Sequence, residues 1–203
     1  MLDGLDDIDW SSLEHAFGPA DDVPELLRGL ISPEKDVRDD ALGELFGNVW
    51  HQGTVYSATP HVVPFLVEIL EQDAAPDREG VITLFALIAA GSGYLEVHAA
   101  SEQRAKEWSA ILRREGRDFE EELGKERRTV AFVRDACLLH LGLLLPYLAS
   151  SEPDVRTEVA RALAKYPENR EVFLPLVEAA LAAETDEEAR ESLEESAAAL
   201  RGE

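Results

Sequence analysis

Ser32-Pro33-Glu34-Lys35-Asp36-Val37-Arg38 is answered in the second half of the chain by Ser150-Ser151-Glu152-Pro153-Asp154-Val155-Arg156. Leu26-Leu27 stand ahead of Asp36 as Leu144-Leu145 stand ahead of Asp154. Fainter copies occur at Asp77-Arg78 and between Asp186 and Arg190. An apolar segment with helical period flanks each copy on both sides. Paired helices recurring at roughly 40 residues specify an α-solenoid, in which a pair buries its apolar face only by stacking on its neighbours.

Working outward, Pro24 opens a helix with Leu26, Leu27, Leu30 and Ile31. Ser32-Pro33 breaks it, and Pro33 suits the first position of the next helix. That helix sets Val37, Ala41, Leu45 and Val49 four residues apart, a one-face stripe. The second pair is marked by Leu66, Val67 and Leu70, then by Val81, Leu84, Phe85 and Ile88, and ends at Gly91-Ser92-Gly93. In the third pair a long helix is expected from Phe119 or Glu126 to Ala149, kinked at Pro146, followed by a stripe of Val155, Val159, Ala162, Leu163 and Tyr166. The fourth pair carries Phe173, Leu176, Val177 and Leu181, a capping box at Thr185-Asp186-Glu187-Glu188, and Ala189, Leu193, Ala197 and Leu200. Asp9 followed by Trp10, Leu13 and Phe17 predicts a short N-terminal capping helix. Thr54-Val55-Tyr56 is the one β-leaning stretch. The expected architecture is a single all-α domain, a right-handed α-solenoid of about four helix pairs over residues 1–203. Residues 1–22 form its acidic N-terminal cap, and residues 91–128 form an irregular charged insertion.

The chain has 42 acidic against 19 basic residues, a net charge of −23. Such a balance excludes nucleic acid, whose binding requires Lys and Arg to neutralise phosphates, and an anionic membrane surface for the same reason. It suits a basic protein partner. The segment 102–128 is balanced, with eight acids and eight bases; 34 of the acids and 11 of the bases lie outside it. Cys137 is the only cysteine and lies in an apolar run, which removes any intrachain disulfide. No basic, apolar leader is visible, and the reducing cytoplasm is the expected compartment.

The helix, turn, Asp-Val-Arg, helix arrangement resembles a HEAT repeat. In that family the turn Asp and the following Arg hydrogen-bond between neighbouring repeats. The resemblance assigns this role to Asp36, Arg38, Asp154 and Arg156. Copy two lacks a residue between Asp77 and Arg78, and copy four reads Glu188-Ala189-Arg190. The stretch Gly47-Asn48-Val49-Trp50-His51-Gln52-Gly53-Thr54-Val55-Tyr56 is similar to a segment of HEAT-like proteins from actinomycete-type bacteria. Some bacterial HEAT-like proteins are immunity proteins that neutralise a toxin, and the resemblance implies that class of function.

Candidate binding residues follow from chemistry concentrated in a turn. Asn48, Trp50, His51, Gln52, Thr54 and Tyr56 put aromatics, amides, an imidazole and a hydroxyl where a plain turn needs only small polar residues. Asp39, Asp40 and Glu44 would project from a second helix onto the face that lines the groove of such arrays, with Glu158 and Arg161 at comparable places in the third pair. The histidines show no one-turn spacing for a metal, so neither a metal nor a cofactor is expected. No nucleophile, base and orienter assemble by spacing, and no catalytic residue is assigned. His140, in an apolar helix, reads as a hydrogen-bonded core residue. The leading expectation is a non-catalytic protein-binding module, in sharper form an immunity protein against a basic toxin enzyme. The alternatives are an enzyme or small-molecule receptor with a pocket near His51, Gln52 and Tyr56, and a self-assembling scaffold.

Overall fold

The computed structural model describes all 203 residues. The helix pairs are α1 (Val23–Gly29) with α2 (Lys35–Asn48), α3 (Thr59–Glu71) with α4 (Arg78–Ala89), and, at the C-terminus, α9 (Arg170–Ala183) with α10 (Glu187–Arg201). Between them lie α5 (Tyr94–His98), α6 (Glu102–Arg114), α7 (Phe119–Leu138) and α8 (Pro153–Ala164). The second helices α2, α4, α8 and α10 pack side by side in one layer; α1, α3 and α7 form the other, and α9 covers α8 and α10. A continuous apolar core runs from Leu2 to Leu200 through both layers. The chain is an all-α helical-repeat solenoid, and no single helix is long and apolar enough to cross a membrane.

The repeated heptapeptide is a turn clamped by its own arginine. Arg38 Nη1 donates to the carbonyls of Ser32 at 2.8 Å and Pro33 at 2.9 Å. Arg156 Nη1 donates to Ser150 at 2.7 Å and Ser151 at 3.1 Å. Ser32 Oγ accepts from the Glu34 amide at 3.2 Å, and Ser150 Oγ from the Glu152 amide at 3.1 Å. The fainter copies keep the clamp, with Arg78 on the Leu70 carbonyl and Arg190 on the Glu184 carbonyl. These carbonyls lie in or just past the last turn of a helix, where backbone acceptors need donors, which the guanidinium supplies.

The Asp–Arg ladder implied by the family resemblance does not form. Asp36 and Asp154 are exposed in the first turns of α2 and α8, where negative charge favours the helix dipole. Contact between repeats runs instead from the arginine Nε. Arg78 donates to Tyr147 Oη at 2.7 Å and Arg156 to Glu184 Oε2 at 2.6 Å, whereas Arg38 Nε is buried without a partner.

Several local expectations are corrected. Residues Leu5–Asp7 and Trp10–Ser12 are single 3-10 turns, followed by a tiny hairpin of β1 (Glu14–His15) and β2 (Gly18–Pro19), not an amphipathic α-helix. Trp10 is held by its indole N–H on the Leu5 carbonyl at 2.8 Å, and Phe17 is exposed. The cap of α10 is Asp186, which accepts from the Ala189 amide at 3.0 Å, one residue later than the capping box predicts. Pro153 does begin α8, but Pro33 lies outside α2. Val37 is exposed, while Ala41, Leu45 and Val49 are buried. The long third helix ends at Leu138, and the chain bends by 61° into 3-10 turns that reach Ala149. His140 sits at that bend, half-buried and 4.0 Å from Glu71, not in the core.

Candidate functional site

Residues 50–56 form a second small hairpin, β3 (Trp50–His51) and β4 (Thr54–Val55). Its turn has Gln52 at φ 50° and Gly53 at φ 89°, the left-handed pair that a two-residue turn needs to match the twist of its strands. The break at residues 91–93 receives this hairpin. The Ser92 amide donates to the Gly53 carbonyl at 2.9 Å, and the Val55 amide to the Ser92 carbonyl at 3.1 Å. A Cβ on Gly91 would stand 2.3 Å from Val55 Cγ1, so only glycine admits the contact.

This placement scatters the candidate binding residues. Asn48 is buried at the end of α2, where its Nδ2 donates to Asp22 Oδ2 at 2.7 Å. Asp22 Oδ1 lies 3.0 Å from His15 Nε2, and His15 Nδ1 accepts from the Phe17 amide at 3.0 Å, so Nε2 carries the proton. Thr54 is buried within the hairpin. His51 is half-buried edge-on to Phe17, with ring centroids 5.4 Å apart, and Gln52 is exposed on the turn. Trp50 and Tyr56 face different depressions. Asp39, Asp40 and Glu44 are exposed on α2, with Asp39 ion-paired to Lys35 one turn earlier.

Trp50 edges a groove of about 340 Å³ on the second-helix face, where α4, α8 and α10 adjoin. Leu87, Ala164 and Ala199 supply apolar lining, and Glu158, Arg161, Lys165 and Glu195 the charge. Arg161 is committed to Glu158 at 3.0 Å and to Ser192 Oγ at 2.9 Å. The groove itself is thus mixed in sign, where the sequence suggested an acidic lining. Outside its lining, exposed acids stand on α2 (Asp39, Asp40 and Glu44) and along α10 (Glu187, Glu188, Glu191 and Glu194).

Tyr56 faces a larger cleft, of about 600 Å³, between the β3–β4 hairpin, the start of α3 and the N-terminal half of α7. His61 and Phe132 meet edge to face there, 5.5 Å apart. Glu122 accepts from Arg117 at 2.5 Å and from Lys125 at 2.8 Å, and these cations hold its carboxyl below the ordinary range. Glu126 accepts from the Leu95 amide at 2.7 Å, while burial raises its carboxyl toward the neutral form. Burial also raises the Tyr56 phenol, with Tyr94 and Glu126 adding to it, and lowers the His61 imidazole. Groups displaced from their usual ionisation, gathered in one depression, mark a binding cleft on physical grounds. Of the candidate residues, Thr54 and Tyr56 line this cleft; His61 at the start of α3 and Phe132 on α7 join them only when α7 packs along α3.

No protein-family model matches the chain, and no curated protein matches it. Among solved structures, a designed armadillo repeat protein is similar at 17% identity, with 88% of this chain and 99% of that chain covered and a TM-score of 0.28.

Proposed function

We propose that this chain is a non-catalytic, HEAT-like protein-binding module acting in the cytoplasm, and that its partner is a basic protein. The observation that carries the reading is the groove across α4, α8 and α10, edged by half-buried Trp50, on a chain whose α2 and α10 expose many carboxylates. A tryptophan beside small apolar residues gives a partner side chain an anchor, and surrounding charge steers the encounter. In its sharper form the module is an immunity protein: the exposed acids of α2 and α10 imitate the phosphates that a basic toxin enzyme would engage, and the groove anchors it. The bacterial HEAT-like resemblance and the net charge of −23 support that form.

The test is capture from the host lysate on immobilised protein at low and high salt, beside the Trp50→Ala and Asp39→Lys/Asp40→Lys variants. A basic partner kept by the wild type, released by salt and weakened by both variants is the expected result. A partner bound equally by wild type and variants at either salt would defeat the assignment of the groove.

A further inference from the structure

We propose that the exposed face of α5 and α6 is a self-complementary contact, through which two copies of the chain pair weakly about a twofold axis with their α6 helices antiparallel. The surface lies outside the second-helix groove and does not rest on the protein-binding reading. Three observations converge on a second copy as the occupant.

The first is an apolar face left without a neighbour. Tyr94 is 40% exposed, Val97 53% and Ile111 41%, and all three lie on α5 and α6. Tyr94 meets the half-buried Trp108 edge to face at 5.3 Å, which joins the two helices into one patch. Leu112 is the only buried residue of α6. Large apolar side chains gathered on an exposed face mark an interaction surface.

The second is the pattern along α6. Arg104, Trp108, Ile111 and Glu115, the last at the C-terminal cap, follow one another at intervals of four, three and four residues and share one stripe of the helix. The spacing reads the same in both directions, while the charges at its two ends are opposite. A twofold axis between Trp108 and Ile111 therefore sets Trp108 on the partner's Ile111 and Arg104 on the partner's Glu115, each twice. A parallel pairing would set like charges face to face. Both charges are available for the contact. Lys106 pairs with Glu102, and Arg117 and Lys125 pair with Glu122, whereas Arg104 has no ion pair and Glu115 only a 3.5 Å contact with Arg117.

The third is charge on the larger scale. Two copies at −23 repel over most of their surface, where 34 acids stand against 11 bases. In the stretch 102–128, with eight of each, that repulsion is locally absent. A basic partner is drawn to the acidic surfaces; a neutral apolar face with self-complementary ends is what a second acidic copy can approach. The contact is one short helix and its neighbour, smaller than the about 1,200 Å² of a stable interface, so the dimer is weak, with a Kd of about 0.1 mM.

The test is sedimentation equilibrium of the full chain from about 10 µM to about 1 mM in about 150 mM salt, beside Ile111→Glu, Arg104→Glu and Glu115→Arg. All three side chains are exposed, so each variant should melt as the wild type does, which is checked first. The wild type should pass from monomer toward dimer across this range. Each variant should dimerise at least about tenfold more weakly, because the twofold axis counts every change twice. Arg104→Glu mixed in equal amount with Glu115→Arg should recover the dimer, since each end then meets its opposite charge. A wild type that stays monomeric to about 1 mM overturns the proposal. So do assembly beyond the dimer, variants that dimerise like the wild type, or two charge variants that fail to recover each other.

Discussion

Glu184 to Gln is the substitution that most directly tests how the repeats are joined. Glu184 sits at the α9–α10 turn with its side chain 1% exposed, and Arg156 reaches it from α8 with 14% exposed. Nε and Nη2 each donate at 2.6 Å, in a two-pronged pair. The same carboxylate accepts from the Thr185 and Asp186 amides at 2.8 and 2.9 Å. Arg156 first, then these amides, outweigh desolvation and hold the Glu184 carboxyl at about 2 against an ordinary 4.5. At 1.36 kcal/mol per tenfold change, the full effect is roughly 3 kcal/mol. The pair borders an open groove, and solvent screening reduces this to about 2 kcal/mol. Glutamine keeps the shape and one acceptor but leaves Arg156 without its counter-charge.

The folded carboxyl lies below the unfolded one, so the stabilisation is complete above about pH 4.5 and fades as the pH falls toward 2. Thermal unfolding near pH 7 should show the variant melting about 6 °C lower. Urea unfolding at about pH 3 should show the gap between wild type and variant narrowed. Melting within about 1 °C of wild type at neutral pH, or a gap as wide in acid, would refute the assignment of this pair as the joint between repeats.

Three further substitutions probe other supports, each by thermal or urea unfolding. Gly91→Ala drives a methyl into Val55 and the Ile88 carbonyl, which lies 3.0 Å from the new Cβ, and should cost about 2 kcal/mol; no loss would mean that the hairpin docks elsewhere. Asp186→Ala removes the cap of α10 and should cost about 1 kcal/mol, with Asp186→Asn recovering most of it. Val155→Asp buries an unpaired charge at a position 7% exposed and should cost about 4 kcal/mol; unchanged stability would contradict the α8 stripe.

What the sequence made legible follows from how much chain each signal spans. Ala41, Leu45 and Val49, or Val155, Val159, Ala162 and Leu163, repeat over several turns, and such a stripe fits only a helix with one face buried. The two hairpins have two-residue strands, too short for an alternating pattern to show, and Gln52-Gly53 lacks the Asn or Asp that announces a primed turn. The shared motif was visible, but its arginine works on carbonyls that no sequence records. The end of α7 was hidden because Leu139, Leu143 and Leu145 continue the apolar run past the bend. In the cleft, Tyr56 and Phe132 lie far apart in the chain. The one trace of that meeting was the charge balance of 102–128, which marks a segment built differently from the acidic remainder.

The arginine contacts are not uniform along the solenoid, and the asymmetry bears on function. Arg156 reaches a buried carboxylate in the next repeat, Arg78 reaches a tyrosine hydroxyl, and Arg38 reaches nothing with its Nε. The first pair is therefore joined by other means. Its links are the hairpins: Asn48 and His15 converge on Asp22, the Ala58 amide donates to the Glu14 carbonyl at 3.0 Å, and Thr59 Oγ1 donates to the Val49 carbonyl at 2.6 Å. These bonds hold the hairpin that runs from Trp50 to Tyr56 between the first pair and residues 91–93. One small hairpin thus sets the edge of the groove on one side and the wall of the cleft on the other. Loosening it would disturb both surfaces together.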